Sequence, residues 1–416
     1  MRYNLAMELL APAGNLEKLK TAVRFGADAV YCGAGSFSLR APEASFNLEN
    51  LAQGIRFAHE HGSRVYLAMN IFPFDQDFEQ MFIFFKQAVE MGIDAVIVSD
   101  PGVLARVRRL YPSMEIHLST QANTTNSESV MFWRDQGVRR IIMARELSLA
   151  QIKGIKEKVP EMELEAFVHG AMCIAYSGRC LLSQFLTKRS ANRGLCTHPC
   201  RWEYRLKEAG REEELAIHED EWGSYILNSR DLCMIEHIPE LAASGLDGLK
   251  IEGRMKTAYY VAAVTRVYRA AIDSYFAQGE AYQFNPKWLE ELAKVPHRPY
   301  TTGFYLPGKN EEAEYTLQAS PIRNYNFVGT VETHDPAKEK LIIEARNRFA
   351  VGEVLEILDP DRPVPVNVKV EKITNERDGS SLEQAHNSYL VSIPFKNEKR
   401  FPVSRHSIIR ANSAGE

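Results

Sequence analysis

Short apolar runs alternate with longer amphipathic stretches from the start of the chain to about residue 256. A phrase that starts with glycine and ends in apolar residues recurs at 26–30, 92–96 and 245–249, with a weaker copy at 137–141. Each copy follows an amphipathic stretch, such as residues 15–25 or 78–91. Glycine commonly ends a helix in the left-handed conformation, and the β-branched run after it is typical of a buried parallel strand. The pattern therefore predicts repeated units of helix and parallel strand.

Counting the apolar runs gives eight candidate strands, and helical patterns separate most of them. Eight alternating units favour a closed (β/α)8 TIM-like barrel, with an open doubly wound sheet as the alternative. The candidates are Glu8–Ala11, Ala29–Cys32, Arg64–Met69, Ala95–Val98, Glu115–Leu118, Arg140–Met143, Glu163–Val168 and Gly248–Ile251.

The spacing of these strands also predicts the domain organisation. The barrel domain takes residues 1–284, with a long insertion at 169–246 after the seventh strand and a long helix from Thr257 to Phe276. Residues 285–326 are rich in proline and weakly periodic, which favours a linker. Residues 327–416 predict a small all-β barrel domain. Its candidate strands are Phe327–Thr333, Lys340–Arg346, Glu353–Leu358, Val366–Ile373 and Ser388–Phe395.

Composition narrows the class of protein. The chain has 416 residues, 45% apolar content and a net charge of −4, which excludes a globally basic nucleic-acid binder and still allows a local basic face. No apolar run approaches the roughly 20 residues needed to span a membrane. The first residues lack the apolar core of a secretory signal. We therefore expect a cytoplasmic location and no membrane partner.

Four of the six cysteines fall within a 28-residue window inside the insertion, spaced Cys-x6-Cys-x15-Cys-x3-Cys. Disulfides are rare in the cytoplasm, so a metal site is the first hypothesis. Zinc suits the last pair better than the first, whose members have six residues between them, whereas a 4Fe–4S cluster tolerates varied spacing. Zinc and four buried structural cysteines are the alternatives. The predicted ligands are Cys173, Cys180, Cys196 and Cys200. Cys233 could replace one of them, although its helical surroundings favour a packed core position.

The cysteine segment is also basic. Residues 179–211 carry eight Lys or Arg and two Glu, with aromatic residues interleaved. Basic plus aromatic side chains suit phosphate contact and base stacking, with a solvated face as the alternative. A second basic stretch, residues 396–410, lies in the small domain, so two patches could grip one RNA. The predicted RNA-binding residues of the insertion are Arg179, Arg189, Arg193, Arg201 and Trp202.

Polar residues follow several of the predicted strands, where a barrel places its active site. Glu252 and Arg254 come directly after the eighth strand and could orient a substrate, and Arg145 or Arg254 could hold a carboxylate with two hydrogen bonds. A structural Arg–Glu pair that closes the barrel is the alternative. The catalytic candidates are Arg145, His169, Glu252 and Arg254, and Asn70, Ser119 and Gln121 also belong to the predicted mouth.

Several of these segments together carry a resemblance. They are residues 165–173 (EAFVHGAMC), 178–183 (GRCLLS), 192–201, 250–254 (KIEGR) and 8–15 (ELLAPAGN). They resemble the signature of the collagenase-like peptidase family U32, and the resemblance covers nearly the whole chain, including the C-terminal β-domain.

Within that family, the chain is most similar to the branch that hydroxylates transfer RNA. The resemblance implies an enzyme that converts wobble uridine to 5-hydroxyuridine without oxygen, with prephenate as co-substrate. It also implies a 4Fe–4S cluster on a cysteine pattern similar to the four above, and in some relatives a homologous family subunit as partner. Other branches hydroxylate ribosomal RNA or act in anaerobic ubiquinone synthesis. The ubiquinone branch varies the last cysteine, so Cys200 favours an RNA branch.

The peptidase name of the family implies a proteolytic site, which the sequence does not support. The sequence has neither Gly-x-Ser-x-Gly nor His-Glu-x-x-His, and four cysteines spaced to bind a metal are poor candidates for one free nucleophile. A family protease, a hydroxylase of ribosomal RNA and a non-catalytic iron–sulfur RNA-binding subunit are the three alternatives.

Overall fold

The computed structural model describes residues 7–33, 35–38, 46–173, 175–202, 219–220, 223–224, 229–306, 321–362, 364–396 and 402–413. The larger domain contains strands β1 (Glu8–Ala13), β2 (Ala29–Gly33), β3 (Arg64–Met69), β4 (Ala95–Val98), β5 (Glu115–Leu118), β6 (Arg140–Ile142), β7 (Glu163–Ala171), β8 (Glu219–Asp220), β9 (Gly223–Ser224), β10 (Asp231–Cys233), β11 (Gly248–Ile251) and β12 (Tyr300–Thr301). Its helices are α1 (Leu16–Arg24), α2 (Leu48–Glu60), α3 (Phe78–Glu90), α4 (Pro101–Leu110), α5 (Ser127–Asp135), α6 (Leu149–Lys158), α7 (Leu182–Thr187), α8 (Ile238–Ala243), α9 (Ala258–Gln278) and α10 (Pro286–Leu292).

Strands β1 to β7 pair in parallel, each with the next, and β11 pairs in parallel with both β7 and β1. This last strand closes the sheet, so the predicted (β/α)8 barrel is confirmed and the open sheet is wrong. The strands are buried along nearly their whole length because helices cover the outside and side chains fill the inside. None of the helices in the described residues is both long and apolar enough to cross a membrane.

Local sequence explains where the main helices start. Asn15 accepts a hydrogen bond from the backbone N–H of Lys18 and so caps α1. Thr257 caps α9 in the same way through the N–H of Tyr260. Helix α9 is buried along much of its length, because it packs against β1 and α1 on the barrel side and β22 of the second domain (Ile408–Asn412) on the other.

The barrel sheet continues beyond its eight strands. The last residues of β7 pair antiparallel with β10, which pairs in parallel with β12. The segment that the sequence predicts as a linker therefore contributes α10 and β12 to the larger domain. Cys233 lies on β10, so its expected helical surroundings are wrong, although it is buried as predicted.

The smaller domain is an antiparallel, half-barrel sheet with its own buried apolar cluster. The predicted strand at 366–373 is two strands, and the strand at 408–412 was not predicted. The strands are β13 (Tyr325–Asp335), β14 (Lys340–Ala345), β15 (Phe349–Ala350), β16 (Val354–Leu358), β17 (Val366–Lys369), β18 (Ile373–Asn375), β19 (Ser381–Leu382), β20 (Gln384–Ala385), β21 (Leu390–Pro394) and β22 (Ile408–Asn412).

Arg410 on β22 joins the two domains. Its side chain is fully buried and donates to both oxygens of Glu291 on α10, at 2.6 and 2.8 Å, and to Glu356 on β16 at 2.6 Å. Arg410 is therefore part of the domain interface and does not belong to a basic surface that contacts RNA. Arg405 is exposed and pairs with Glu332 at 2.9 Å, while residues 397–401 of the same stretch lie outside the described residues.

Candidate functional site

The polar residues that follow the barrel strands meet in one cavity, which we call the inner cavity. It has a volume of about 60 Å³, and apolar side chains such as Ile97 and Phe167 lie at its floor. Because parallel strands end at the same side of a barrel, residues distant in sequence converge there. The mouth residues predicted from sequence that line it are Asn70, Ser119, Gln121, Arg145, Glu252 and Arg254, joined by Tyr31, Ser177 and Lys250.

The inner cavity has an excess of positive charge. Among its described lining residues are three cations and one carboxylate, Glu252. Arg145 donates to Glu252 at 3.3 Å and to the carbonyl of Ala171 at 3.1 Å, and its guanidinium lies 4.0 Å from the ring centre of Phe167. Arg254 donates to the hydroxyl of Ser38 at 3.1 Å. These cations fit a small organic anion, and Arg145 also forms the Arg–Glu pair considered as the structural alternative.

Gln121 provides a second observation that points to a ligand. Its side chain is only 2% exposed, yet neither its Nε2 nor its Oε1 has a hydrogen-bond partner within the described structure. A buried polar group left without a partner costs roughly 1–3 kcal/mol, so native proteins keep few of them outside functional sites. The Nε of Arg145 is in the same situation. A bound molecule with one donor and one acceptor would satisfy the Gln121 carboxamide.

A second, larger cavity adjoins the first, and we call it the outer cavity. Its volume is about 170 Å³, and it shares Arg145 and Ser177 with the inner cavity. Cys173 lies in its wall, together with Met172, Ser229, Arg230 and Thr301. Two aromatic residues, Tyr176 and Phe304, also line it and are 48% and 40% exposed. The sequence did not single out these two, although each lies beside a glycine-containing turn near the predicted mouth.

His169 lies behind the mouth and lines neither cavity. Its ring is 1% exposed and packs against Tyr260, Tyr268 and Tyr300. Burial lowers the pKa of His169 to about 3, so the ring is neutral at pH 7. The structure therefore places His169 away from both cavities and among three tyrosines, and its catalytic assignment stays a prediction.

Strand β7 closely approaches the loop that contains Glu252 at Gly170, next to His169. Its φ of +105° is in the region that favours glycine. A Cβ at this position would stand 2.6 Å from the carbonyl oxygen of Glu252 and 2.9 Å from the hydroxyl of Tyr260. Glycine is required here so that β7 can reach the edge of the mouth.

The four clustered cysteines all have access to solvent. Cys173 and Cys196 are exposed, and Cys180 and Cys200 are half-buried. Cys32 and Cys233 differ from them, because both are buried and burial raises the pKa of each thiol to about 12. Four accessible thiols are the donors that an iron–sulfur cluster or zinc uses, and they exclude the reading of four buried structural cysteines.

Hydrogen bonds tie part of the cysteine segment together. The hydroxyl of Ser183 on α7 accepts from the N–H of Thr197 at 3.1 Å and donates to the carbonyl of Arg189 at 2.6 Å. The N–H of His198 donates to the sulfur of Cys196 at 3.4 Å. Within the described ranges, no three Cys, His, Asp or Glu side chains are gathered closely enough to hold a metal. The donor set fits a cluster chemically, and the assignment of all four as ligands stays a prediction.

The predicted RNA-binding residues separate into two groups. Arg193 forms two hydrogen bonds with Asp77, at 2.7 and 3.0 Å, and its guanidinium lies over the ring of Phe74. These hydrogen bonds hold the pKa of Asp77 below its usual range and fasten the insertion to the loop after β3. Arg179 and Arg189 are exposed, and Trp202 is 42% exposed. The side chain of Arg201 lies outside the described part of the chain.

Below the inner cavity, the barrel interior contains a network of buried charges that the sequence analysis did not identify. Lys250 donates to Glu165 at 2.9 Å, and Arg140 contacts Glu165 at 3.3 Å and also pairs with Glu8. The hydroxyl of Tyr66 donates to Glu8 at 2.9 Å. Burial lowers the pKa of Lys250, and Glu165 opposes this shift. Charged residues inside strands predicted to be buried on both faces are the signal that could have revealed this network.

Comparison with known proteins gives a consistent result over both domains. The model of peptidase family U32 matches residues 14–315, and that of the U32 C-terminal domain matches residues 323–410. A tRNA hydroxylation protein P1 of Bacillus subtilis (strain 168) is 39% identical, over 94% of this chain and 92% of its own. A tRNA hydroxylation protein P of Escherichia coli (strain K12) is 37% identical, over 98% of this chain and 97% of its own.

A third relative acts on a different RNA according to its name. It is a 23S rRNA 5-hydroxycytidine synthase of Escherichia coli (strain K12), 36% identical over 85% of this chain and 52% of its own length. The two tRNA hydroxylation proteins, in contrast, align with at least 94% of this chain. Their similarity therefore extends over both the barrel domain and the C-terminal domain.

Proposed function

The chain belongs to peptidase family U32, and from that premise we propose that it is a tRNA-modifying enzyme that converts wobble uridine to 5-hydroxyuridine. The names of the two full-length relatives support hydroxylation of tRNA, and the wobble uridine is the target that the family resemblance implies. The observation on the chain itself that carries the proposal is the pair of joined cavities, one cationic and one aromatic, at the barrel mouth. A reaction between a small anion and an RNA base needs two such sites side by side. With tRNA as substrate, the proposal places the reaction in the cytoplasm.

We assign the inner cavity to prephenate, the co-substrate of an oxygen-independent reaction. Prephenate carries two carboxylates and a hydroxyl group, and Arg145, Lys250 and Arg254 supply the matching positive charge. The carboxamide of Gln121 offers a donor and an acceptor that the described structure leaves without partners. Glu252, paired with Arg145, keeps that guanidinium in place. These residues bind and orient the co-substrate while the apolar floor excludes water.

We further propose that Cys173, Cys180, Cys196 and Cys200 hold a 4Fe–4S cluster, whose chemistry is one-electron transfer. Cys173 lies in the wall of the outer cavity, so a cluster there would be close to the bound base. Protein purified without oxygen should contain about four irons and four labile sulfides per chain. Changing any of the four cysteines to Ala should remove them, whereas the control Cys233→Ala should not. One stoichiometric zinc in a colourless protein would contradict the cluster.

The reaction is tested in cells that lack the gene. Bulk tRNA nucleosides, measured by mass spectrometry, should lose 5-hydroxyuridine or its derivatives, and the wild-type gene should restore them. A gene that carries Arg145→Met should fail to restore these nucleosides, although the variant protein should still fold. Normal tRNA together with a missing ribosomal-RNA hydroxyl would favour the reaction of the third relative. Restoration only in the presence of a homologous subunit would make this chain one half of a paired enzyme.

A protease remains the alternative that the family name suggests. Hydrolysis of a peptide by a hydroxyl or thiol nucleophile needs a base within hydrogen-bond reach. No histidine is among the described residues that line either cavity, although Ser119, Thr120 and Ser177 line the inner one. Accumulation of an uncleaved protein in the deletion strain, with normal RNA, would favour the protease.

A further inference from the structure

The two cavities differ in size and lining in a way that separates their occupants. The inner cavity, about 60 Å³, is the smaller one and concentrates the positive charge of Arg145, Lys250 and Arg254. The outer cavity, about 170 Å³, is lined by Met172, Tyr176 and Phe304 as well as by charged residues. The cations of the first cavity suit an anionic co-substrate, and the apolar and aromatic lining of the second suits a flat, largely neutral ring.

The aromatic side chains of the outer cavity are unusual in their exposure. Tyr176 and Phe304 come from separate loops, after β7 and after β12, and 48% and 40% of their surface is open to solvent. Proteins that recognise unpaired RNA bases stack them on exposed aromatic rings, and enzymes that modify a base first turn it out of its stack. An unpaired pyrimidine is a flat ring that both side chains can contact.

Charge at the rim agrees with an RNA ligand. The charged residues among the described lining of the outer cavity are Arg145, Arg230 and one carboxylate, Glu146. Arg179 is exposed in the turn of Tyr176, where its backbone N–H donates to the Tyr176 carbonyl at 3.0 Å. Cations beside an aromatic site suit the phosphates that flank a turned-out base. Arg145 and Ser177, which the two cavities share, offer donors at the boundary where the ring of a bound base would meet the co-substrate.

We propose that the outer cavity is the nucleobase site, and that the target uridine enters it unpaired, in contact with Tyr176 and Phe304. The assignment rests on the proposed function for the identity of the base. It adds where the RNA enters, and it makes Tyr176 and Phe304 binding residues that contact an unpaired base before any chemistry occurs.

Equilibrium binding to two synthetic anticodon stem–loops tests this assignment without catalysis. One stem–loop carries uridine at the wobble position, and the other has the same sequence with an abasic site there. The wild-type protein should bind the uridine form about tenfold more tightly, within the range measured for stacking of one base. Tyr176→Ala and Phe304→Ala should each lower affinity for the uridine form toward that for the abasic form, and should leave the abasic form unaffected. Tyr176→Phe should keep the preference.

Phe132→Ala is the matched control, because Phe132 is a 55% exposed aromatic on α5, in the outer helical layer of the barrel. It should bind both RNAs as the wild type does. Thermal unfolding should show that all variants fold, since truncations at such exposed positions change stability little. The assignment is overturned if the wild type does not distinguish the two RNAs, or if the two alanine variants weaken both equally.

The outcomes also separate this assignment from the proposed reaction. A preference for uridine that depends on Tyr176 and Phe304, in a protein whose deletion leaves tRNA nucleosides unchanged, would support the base site and reject the hydroxylation. Lost hydroxylation in the deletion strain, with Tyr176→Ala and Phe304→Ala both fully active and binding normally, would support the reaction and reject the site.

Discussion

The lower and upper parts of the barrel interior contain similar charged residues but arrange them differently. In the lower part, Glu8, Arg140, Glu165 and Lys250 contact opposite charges within the network. Among the described side-chain atoms of this region, Nδ1 of His117 is left without a partner. In the upper part, both polar atoms of Gln121 and the Nε of Arg145 lack partners among the described residues. The described lining of the inner cavity contains three cations and one carboxylate.

From this difference we infer that the lower half of the barrel interior stabilises the fold and that the upper half binds a ligand. A matched network inside the sheet lowers the cost of burying charges, and each member holds the others in place. Unmatched polar atoms raise the free energy of the empty site, and a ligand that satisfies them recovers that cost on binding. Lys250 belongs to both parts, because it pairs with Glu165 below and lines the inner cavity above.

Removing one charge from the lower network should have the largest effect. Glu165→Leu leaves the charges of Lys250 and Arg140 buried with fewer carboxylate partners, so the free energy of unfolding should fall by about 3–5 kcal/mol. Urea denaturation measures this change. The double variant Glu165→Leu with Lys250→Met should recover much of the loss, because it removes both members of one pair. A single variant as stable as the wild type would show that the network is not a stabilising unit.

Gln121→Leu tests the upper part and should have opposite effects on function and stability. Activity should fall by about 10–100-fold, since one or two hydrogen bonds to a ligand are lost. The free energy of unfolding should stay equal or rise by about 1 kcal/mol, because a buried amide without partners is replaced by an apolar group of similar size. The loss should appear mainly in the KM for the small co-substrate. Reduced stability together with full activity would reverse our interpretation of the two regions.

Replacing His169 tests whether the region directly behind the mouth is part of the buried core. Its pKa is about 3 in the folded state and near 6.5 when unfolded, so only the unfolded state takes up this proton as pH falls below 6.5. The free energy of unfolding therefore falls on acidification, and His169 accounts for about 2 kcal/mol of the decrease between pH 7 and pH 5. His169→Phe should make the measured pH dependence flatter by that amount. An unchanged slope would mean that His169 is accessible to protons in the folded protein.

Arg193→Met should have the smallest effect on global stability, about 1 kcal/mol or less, because its pair with Asp77 is partly exposed. The insertion should nevertheless loosen from the loop after β3, which limited proteolysis of residues 175–202 would detect. Arg189→Met is the matched control, as Arg189 is exposed. Arg189→Met should lower the slope of RNA affinity against salt concentration by about one counterion, whereas Arg193→Met should leave that slope unchanged. A large decrease in that slope for Arg193→Met would place Arg193 at the RNA instead.

Local sequence patterns were sufficient for the repeated part of the fold. The boundaries of β3, β4, β5 and β11 agree with the sequence prediction, because a short apolar run between a helix end and a polar loop marks a buried parallel strand, and a glycine marks that helix end before β3, β4 and β11. Strand β22 was missed for a physical reason. Arg410 interrupts its apolar run, and the two carboxylates that make its burial possible, Glu291 and Glu356, lie far away in sequence.

The same division between local sequence patterns and long-range contacts applies to the candidate site. The sequence identified most residues of the mouth, since it placed them after strands that a barrel aligns. It could not identify the outer cavity, because Tyr176 and Phe304 are more than a hundred residues apart and meet only through the pairing of β7, β10 and β12. It also could not tell that His169 faces Tyr260, Tyr268 and Tyr300 rather than the cavity.

The sequence by itself determined the barrel and the position of the insertion, and it predicts which donor groups the cysteines and mouth residues offer. Periodicity and residue type are local properties, and they constrain which elements form and which donors are available. The tertiary structure alone decided which charges neutralise one another and which polar atoms remain for a ligand. That outcome depends on distances between residues such as Gln121, Arg145 and Glu252, which only the closed barrel brings together.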